Sequence, residues 1–199
     1  IAIAGTGYVG LSLAVLLAQK YVVIALDVDE TIVDLINHRV SPIVDKEIAE
    51  FFVHEKLNLY ATLDTNTAYL DANYVIIATP TNFDIEKNCF DTISIIQVIN
   101  NVRELNPQAV IVIKSTIPIG FMQIIKTKYP ELKIMFSPEF LREGHALYDN
   151  LYPSRIVIGD KSDEAKVFAQ MLVACARKTD VEVIFTSDCE AESIKLFAN

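Results

Sequence analysis

Seven short apolar runs, most of them separated by helically patterned segments, constrain this chain more than any other feature. They are IAIA (1–4), VVIAL (22–26), YVIIA (74–78), AVIVI (109–113), KIMF (133–136), RIVIG (155–159) and VEVIF (181–185). They are rich in Val and Ile and mostly do not alternate with polar residues, which suits strands buried on both faces of a parallel sheet. Helical patterning falls roughly at 9–20, 30–38, 46–56, 91–105, 119–129, 162–177 and from 188 onward. Strand and helix in alternation imply right-handed βαβ units. The expected fold is therefore α/β, a Rossmann-like doubly wound, mainly parallel sheet with helices on both faces. No internal repeat or flexible linker interrupts it. Residues 1–187 read as one domain and residues 188–199 as the start of a helix leaving it.

Composition narrows the function. Apolar residues make up 52% of the 199 and charged residues 22%, a globular balance with an ample core. The net charge is −9 and no Lys/Arg cluster stands out, which argues against nucleic acid as the main partner. Cys89, Cys175 and Cys189 match no disulfide or zinc spacing, so a cytoplasmic, reducing setting and no metal site are expected. Residues 1–18 carry no charge and could pass for a membrane or signal segment. No basic residue precedes them, and their glycines cluster where a helix should be strongest. A strand, a tight turn and a helix explain them better.

In such a sheet ligands bind at the carboxyl ends of the strands. After the first run comes GTGYVG, with Gly5, Gly7 and Gly10, and Asp27 closes the second strand 20 residues after Gly7. This is the context that a dinucleotide fingerprint requires. Gly5 allows the turn, Gly7 lets the backbone approach a pyrophosphate, and Gly10 permits close helix–strand packing. The helix N-terminus faces the phosphates, and Asp27 accepts hydrogen bonds from a ribose. Asp29 adds negative charge that disfavours a 2′-phosphate. The bland alternative is an ordinary turn with a solvated Asp.

Other loops carry weaker signals. TPTN (79–82) and KSTIPIG (114–120) place hydroxyl side chains at strand ends; Ser115 or Thr116 either lies near the reacting end of the cofactor or starts the next helix. In SPEFLREG (137–144), Ser137 and Pro138 can open a helix that puts Glu139 and Glu143 on one face. Those carboxylates either complement a helix dipole or do acid/base work. The final segment, CEAESIKLFAN, reads as a helix with Lys195 and Asn199 on one face, Lys195 flanking the stripe Ala191, Ile194 and Ala198. Lys195 either pairs with Glu192 or, with Asn199, faces a developing negative charge.

Taken in order, GTGYVGLS, SPIVDKEI, VIIATPTN, IKSTIPIGF, FSPEFLREG, ALYDNLYPSRIVIG and EAESIKLFAN resemble the UDP-glucose 6-dehydrogenase branch of the UDP-glucose/GDP-mannose dehydrogenase family. The resemblance spans the whole chain. It implies an N-terminal NAD-binding fragment that stops inside a long central helix, with the catalytic Cys in a missing half. It implies NAD as cofactor, UDP-glucose or a related nucleotide sugar as substrate, and a homodimer for the longer protein. Family members oxidise the sugar C6 alcohol to an acid in two NAD-dependent steps, through a thiohemiacetal and a thioester on that Cys.

Carried over, the resemblance assigns NAD binding to Gly5, Thr6, Gly7, Tyr8, Val9, Gly10 and Asp27, with Thr81, Thr116 and Glu143 nearer the nicotinamide. Glu139 becomes an acid/base in thioester hydrolysis and Thr116 the holder of a water. Lys195 and Asn199 become oxyanion donors. Glu139, Phe140, Leu141, Arg142 and Glu143, with Tyr148, line the sugar and diphosphate site. One position departs from the pattern: Ile32 stands where many bacterial members have a basic residue near the adenosine ribose.

Overall fold

The computed structural model describes residues 1–84 and 89–198. Among the described residues all seven apolar runs form strands, and there are three further strands. β1 (Ala2–Ala4), β2 (Val23–Leu26), β3 (Leu59–Thr62), β4 (Tyr74–Ile77), β7 (Val110–Ile113) and β8 (Lys133–Phe136) make one sheet in the order β3-β2-β1-β4-β7-β8. Every pairing in it is parallel. β5 (Phe83–Asp84) and β6 (Cys89–Phe90) are a short antiparallel pair outside it. With that pair set aside, the order is that of a doubly wound dinucleotide fold, whose switch point lies between β1 and β4. β9 (Arg155–Ile158) and β10 (Glu182–Phe185) form a separate parallel ladder. It abuts β8 where the Gly159 N–H donates to Phe136 O at 2.8 Å.

Side chains alternate across the strands, as the pleat requires, and feed two cores. Ile3, Tyr74, Ile76, Val110 and Val112 enter one core. Ala2, Ala4, Val75, Ile77, Ile111 and Ile113 enter the other. The first is covered by α1 (Tyr8–Ala18), α3 (Lys46–His54), α7 (Ala146–Leu151) and α8 (Asp163–Cys175). The second is covered by α4 (Thr65–Tyr69), α5 (Ile93–Leu105), α6 (Phe121–Lys128) and α9 (Asp188–Ala198). α2 (Glu30–Asn37) follows β2. α1 is buried from Gly10 to Ala18 because it lies between the sheet and α3, α7 and α8. That position explains its charge-free sequence: a helix apolar all round belongs inside a protein or a membrane. Among the described residues no helix is long and apolar enough to cross a membrane.

Carboxylates and hydroxyls fix the helix starts. Asp29, Asp45, Asp64 and Ser162 cap α2, α3, α4 and α8. Asp45 serves twice. Only 3% exposed, it accepts from Ile48 N–H of its own helix at 3.0 Å and from Leu147 N–H of α7 at 3.2 Å.

One expected helix is absent. Residues 137–142 are irregular, and Glu143–Gly144 is a turn. Ser137 caps nothing; its hydroxyl donates to Val157 O at 2.9 Å and accepts from Lys114. Glu139 and Glu143 therefore do not share a helix face.

Candidate functional site

The glycine turn lies at the switch point. Gly5 has φ +89°, and a Cβ there would sit 2.7 Å from Ala78 O, because the loops after β1 and β4 touch. A Cβ on Gly10 would sit 1.9 Å from Gly5 O, so α1 starts directly against the turn. Gly7 differs: a Cβ on it would meet nothing within 4 Å. Gly7 is also the N-cap of α1 and supplies no side-chain cap. The first-turn N–H groups of Tyr8, Val9 and Gly10 thus have no intrahelical acceptor, and the space beside Gly7 is open. These features fit a dinucleotide's pyrophosphate.

Asp27 lies beside this turn and organises it. One carboxylate oxygen accepts from the Thr6 N–H at 3.0 Å and from the Thr6 hydroxyl. The other accepts from Val28 N–H at 2.8 Å and Asp29 N–H at 3.2 Å. Of these four donors only the Thr6 hydroxyl can rotate away to admit a ribose hydroxyl. Asp29 is exposed and accepts from Thr31 N–H at 2.8 Å, so its charge stands close to Asp27 while it caps α2. Ile32 is half-buried and packs against the first core.

Thr81 and Thr116 are half-buried on the loops that follow β4 and β7. Ser115 does not open the next helix. It is buried and donates to Thr79 O at 2.7 Å, tying the two loops together. α6 begins five residues after Thr116, with Gly120 as its N-cap at φ +88°.

At the end of β8 the structure brings Glu139 and Lys195 into contact. Lys195 Nζ donates to Glu139 Oε1 at 2.6 Å and to Glu139 O at 3.0 Å. Glu139 Oε2 accepts from Leu141 N–H at 2.8 Å. The side chains are 4% and 14% exposed. Lys195 does not pair with Glu192, whose carboxylate turns the other way. Lys195 keeps a third N–H, and the pair is shielded from water, where a preorganised donor acts strongly on a developing oxyanion.

Lys114 also belongs here, and sequence reasoning missed it. It is 7% exposed, and its ammonium donates to Pro138 O at 3.1 Å and Ser137 Oγ at 3.3 Å. Burial pushes its pKa down to about 8; the Glu139 carboxylate opposes that shift and the Lys195 ammonium adds to it. A lysine ending an apolar strand reads as solvated, so nothing in the sequence marked it.

Lys114, Glu139, Phe140, Leu141 and Arg142 help line a cleft of about 230 Å³. The Arg155 guanidinium lies 4.6 Å from the centre of the Phe140 ring. Arg142 pairs with Asp149 at 2.6 Å. Burial alone would raise the Asp149 carboxyl, but its bonds with Arg142 hold it below the usual value. Tyr148 is exposed and its ring lies 4.9 Å from that of Tyr152. Glu143 is exposed on its turn. No hydrogen bond joins Thr116 or Glu143 to the Glu139–Lys195 pair among the described residues. Asn199 lies outside the described residues.

Comparison with known proteins gives these features a context. The family described as UDP-glucose/GDP-mannose dehydrogenase family, NAD binding domain, matches residues 1–176. UDP-glucose 6-dehydrogenase of Streptococcus pneumoniae is 50% identical, over 100% of this chain and 52% of its own length. The Campylobacter jejuni protein of the same name is 46% identical, over 100% of this chain and 51% of its own. A GDP-mannose dehydrogenase structure from Pseudomonas aeruginosa superposes with a TM-score of 0.86 at 26% identity, covering 100% of this chain and 48% of that one. A UDP-glucose dehydrogenase structure from Pyrobaculum islandicum gives 0.82 at 25% identity, covering 99% and 48%. The chain spans about half the length of the curated relatives it matches. With a doubly wound sheet, a glycine turn open to a pyrophosphate and these matches together, the chain belongs to the UDP-glucose/GDP-mannose dehydrogenase family, as its NAD binding domain.

Proposed function

We propose that this chain is the NAD-binding part of an enzyme that oxidises UDP-glucose to UDP-glucuronate, with the catalytic Cys in the half beyond it. Residues 1–187 form the cofactor domain, and residues 188–199 belong to the segment that leads to the other half. The observation that carries this reading is the shielded Glu139–Lys195 pair, at the same carboxyl edge of the sheets as the glycine turn. In a non-catalytic dinucleotide module the same pair would serve only to anchor the last helix.

The cofactor, when bound, supplies a hydride acceptor. The chain's own residues do the rest. Gly7 and the first turn of α1 bind the pyrophosphate, with Thr6, Tyr8, Val9, Gly5 and Gly10 shaping the turn. Asp27 holds the adenosine ribose, and Asp29 selects against a 2′-phosphate. Thr81, Thr116 and Glu143 serve the nicotinamide end. Lys195, with Asn199, donates to the oxygen that gains negative charge at the sugar C6. Glu139, acceptor of the Lys195 bond, serves as acid/base during hydrolysis. Phe140, Leu141, Arg142 and Tyr148 line the sugar and diphosphate path. The longer protein works as a cytoplasmic homodimer; a net charge of −9 supports the absence of nucleic acid from its partners.

The test is NADH formation by the longer protein with UDP-glucose, GDP-mannose and UDP-N-acetylmannosamine in parallel. UDP-glucose should be preferred and yield two NADH per sugar, and the 199-residue chain alone should yield none. Preference for another nucleotide sugar would overturn the substrate. Turnover by the chain alone, lost on changing one of its own cysteines, would overturn the division of labour.

A further inference from the structure

Glu192 is 1% exposed, and the Lys195–Glu139 contact leaves it without a role in the proposed chemistry. Its carboxylate crosses from α9 to the start of α6. One oxygen accepts from Gly120 N–H at 2.7 Å and the other from Met122 N–H at 2.8 Å. α6 has no cap from its own sequence, because Gly120 has no side chain to offer. The N–H of its cap residue Gly120 and one orphan donor of its first turn, Met122 N–H, are thus met by a residue 70 to 72 positions later. A carboxylate is also the charge a helix N-terminus favours.

Other contacts of α9 agree with this one. Lys126, in the last turn of α6, bonds Asp188 at 2.7 Å, so α9 grips α6 at both ends. Ala191 is fully buried against Gly159, where an added Cβ would come within 2.9 Å of the alanine methyl. Asp188, Ala191, Glu192 and Lys195 are spaced along one face of α9. Glu192 reaches the loop after β7, which carries Thr116, and Lys195 reaches the loop after β8, which carries Glu139.

We propose that Glu192 is a positioning residue, which fixes the Thr116–Gly120 loop to α9 so that Thr116 and the Glu139–Lys195 pair are held in one register. Its effect on turnover rests on the dehydrogenase reading above; its capping of α6 does not. Glu192 contributes two hydrogen bonds from a buried charge to this link, so an isosteric change is the sharpest probe. Glu192→Gln keeps one acceptor and turns an amide NH₂ toward the other N–H, whereas Glu192→Ala removes both.

The experiment has two arms. In the first, amide hydrogen exchange is followed at Gly120 and Met122 in this chain. Exchange there should accelerate roughly tenfold or more in Glu192→Gln, the scale of one lost hydrogen bond to a charged group, and further in Glu192→Ala. Exchange in the α1 segment should stay unchanged. In the second, kcat and KM are measured in the longer protein. Glu192→Gln should lower kcat about tenfold at unchanged KM for NAD, with Glu192→Ala lower again, so that the conservative variant is a partial rescue. Unchanged exchange at both amides would overturn the cap. Faster exchange with kcat intact would overturn the positioning role and leave Glu192 a structural cap. If the unsubstituted longer protein turns over no nucleotide sugar, the dehydrogenase reading and the positioning role fail together, and the exchange arm still decides the cap.

Discussion

Lys195 Nζ lies 2.6 Å from Glu139 Oε1, joining the last helix to the loop after β8 across 56 residues, with both side chains largely removed from water. The contact holds the proposed acid/base and the proposed oxyanion donor as one unit. It also makes each residue depend on the other, because a buried charge without its partner is costly.

Removing one partner should therefore destabilise the fold by about 3–5 kcal/mol. Urea unfolding of Lys195→Met checks this. The double variant Lys195→Met/Glu139→Gln should recover part of the loss, because it leaves neither member of the pair as an unpaired ion. A single variant within about 0.5 kcal/mol of the parent, the range of a neutral surface substitution, would show the pair to be incidental.

Lys114 predicts a specific pH dependence. Its folded pKa of about 8 lies below the unfolded value. Below pH 8 the ammonium is charged in both states, and its burial cost is fully present. Between pH 8 and about 10.4 the folded state sheds the proton while the unfolded state keeps it. The unfolded state then binds more protons, so stability rises with pH across that window. The parent should gain on the order of 3 kcal/mol relative to Lys114→Met between pH 7.5 and 10.5, measured by urea unfolding at each pH. Parallel stability profiles for the two proteins would contradict the shift.

The glycines should separate folding from binding. Gly10→Ala places a methyl 1.9 Å from Gly5 O and must move backbone, at a cost of about 3 kcal/mol or more. Gly7→Ala meets open space at φ −70° and should keep stability within about 1 kcal/mol. Yet its methyl would enter the space assigned to the pyrophosphate, so NAD affinity should fall by at least tenfold. Thermal unfolding and calorimetry on the two variants check both halves. Normal NAD binding by Gly7→Ala would move the cofactor elsewhere.

The sheet was legible in the sequence because parallel strands buried on both faces must be continuous apolar runs. β3 escaped that signal. It is an edge strand, with Tyr60 54% exposed beside buried Leu59 and Ala61, and its segment lacks a Val/Ile run. α4 and α7 are too short for helical periodicity to register. The segment 137–143 carries helix-opening residues but forms none, because the Ser137 hydroxyl and the Pro138 carbonyl are taken by Val157 and Lys114. The glycine turn and Asp27 were readable from local spacing alone. Lys114 and Glu192 were not, since each finds its partners 23 to 72 residues away and no local pattern marks them.

The most direct measurement is calorimetric titration of this chain with NAD and with NADP, repeated on Asp27→Ala. The glycine turn open at Gly7, with Asp27 and Asp29 beside it, predicts one NAD per chain and clearly weaker NADP. Asp27→Ala should weaken NAD by about 1.5–3 kcal/mol, the loss of hydrogen bonds to a charged group. NADP binding as tight as NAD, or no NAD binding by a folded chain, would contradict the account.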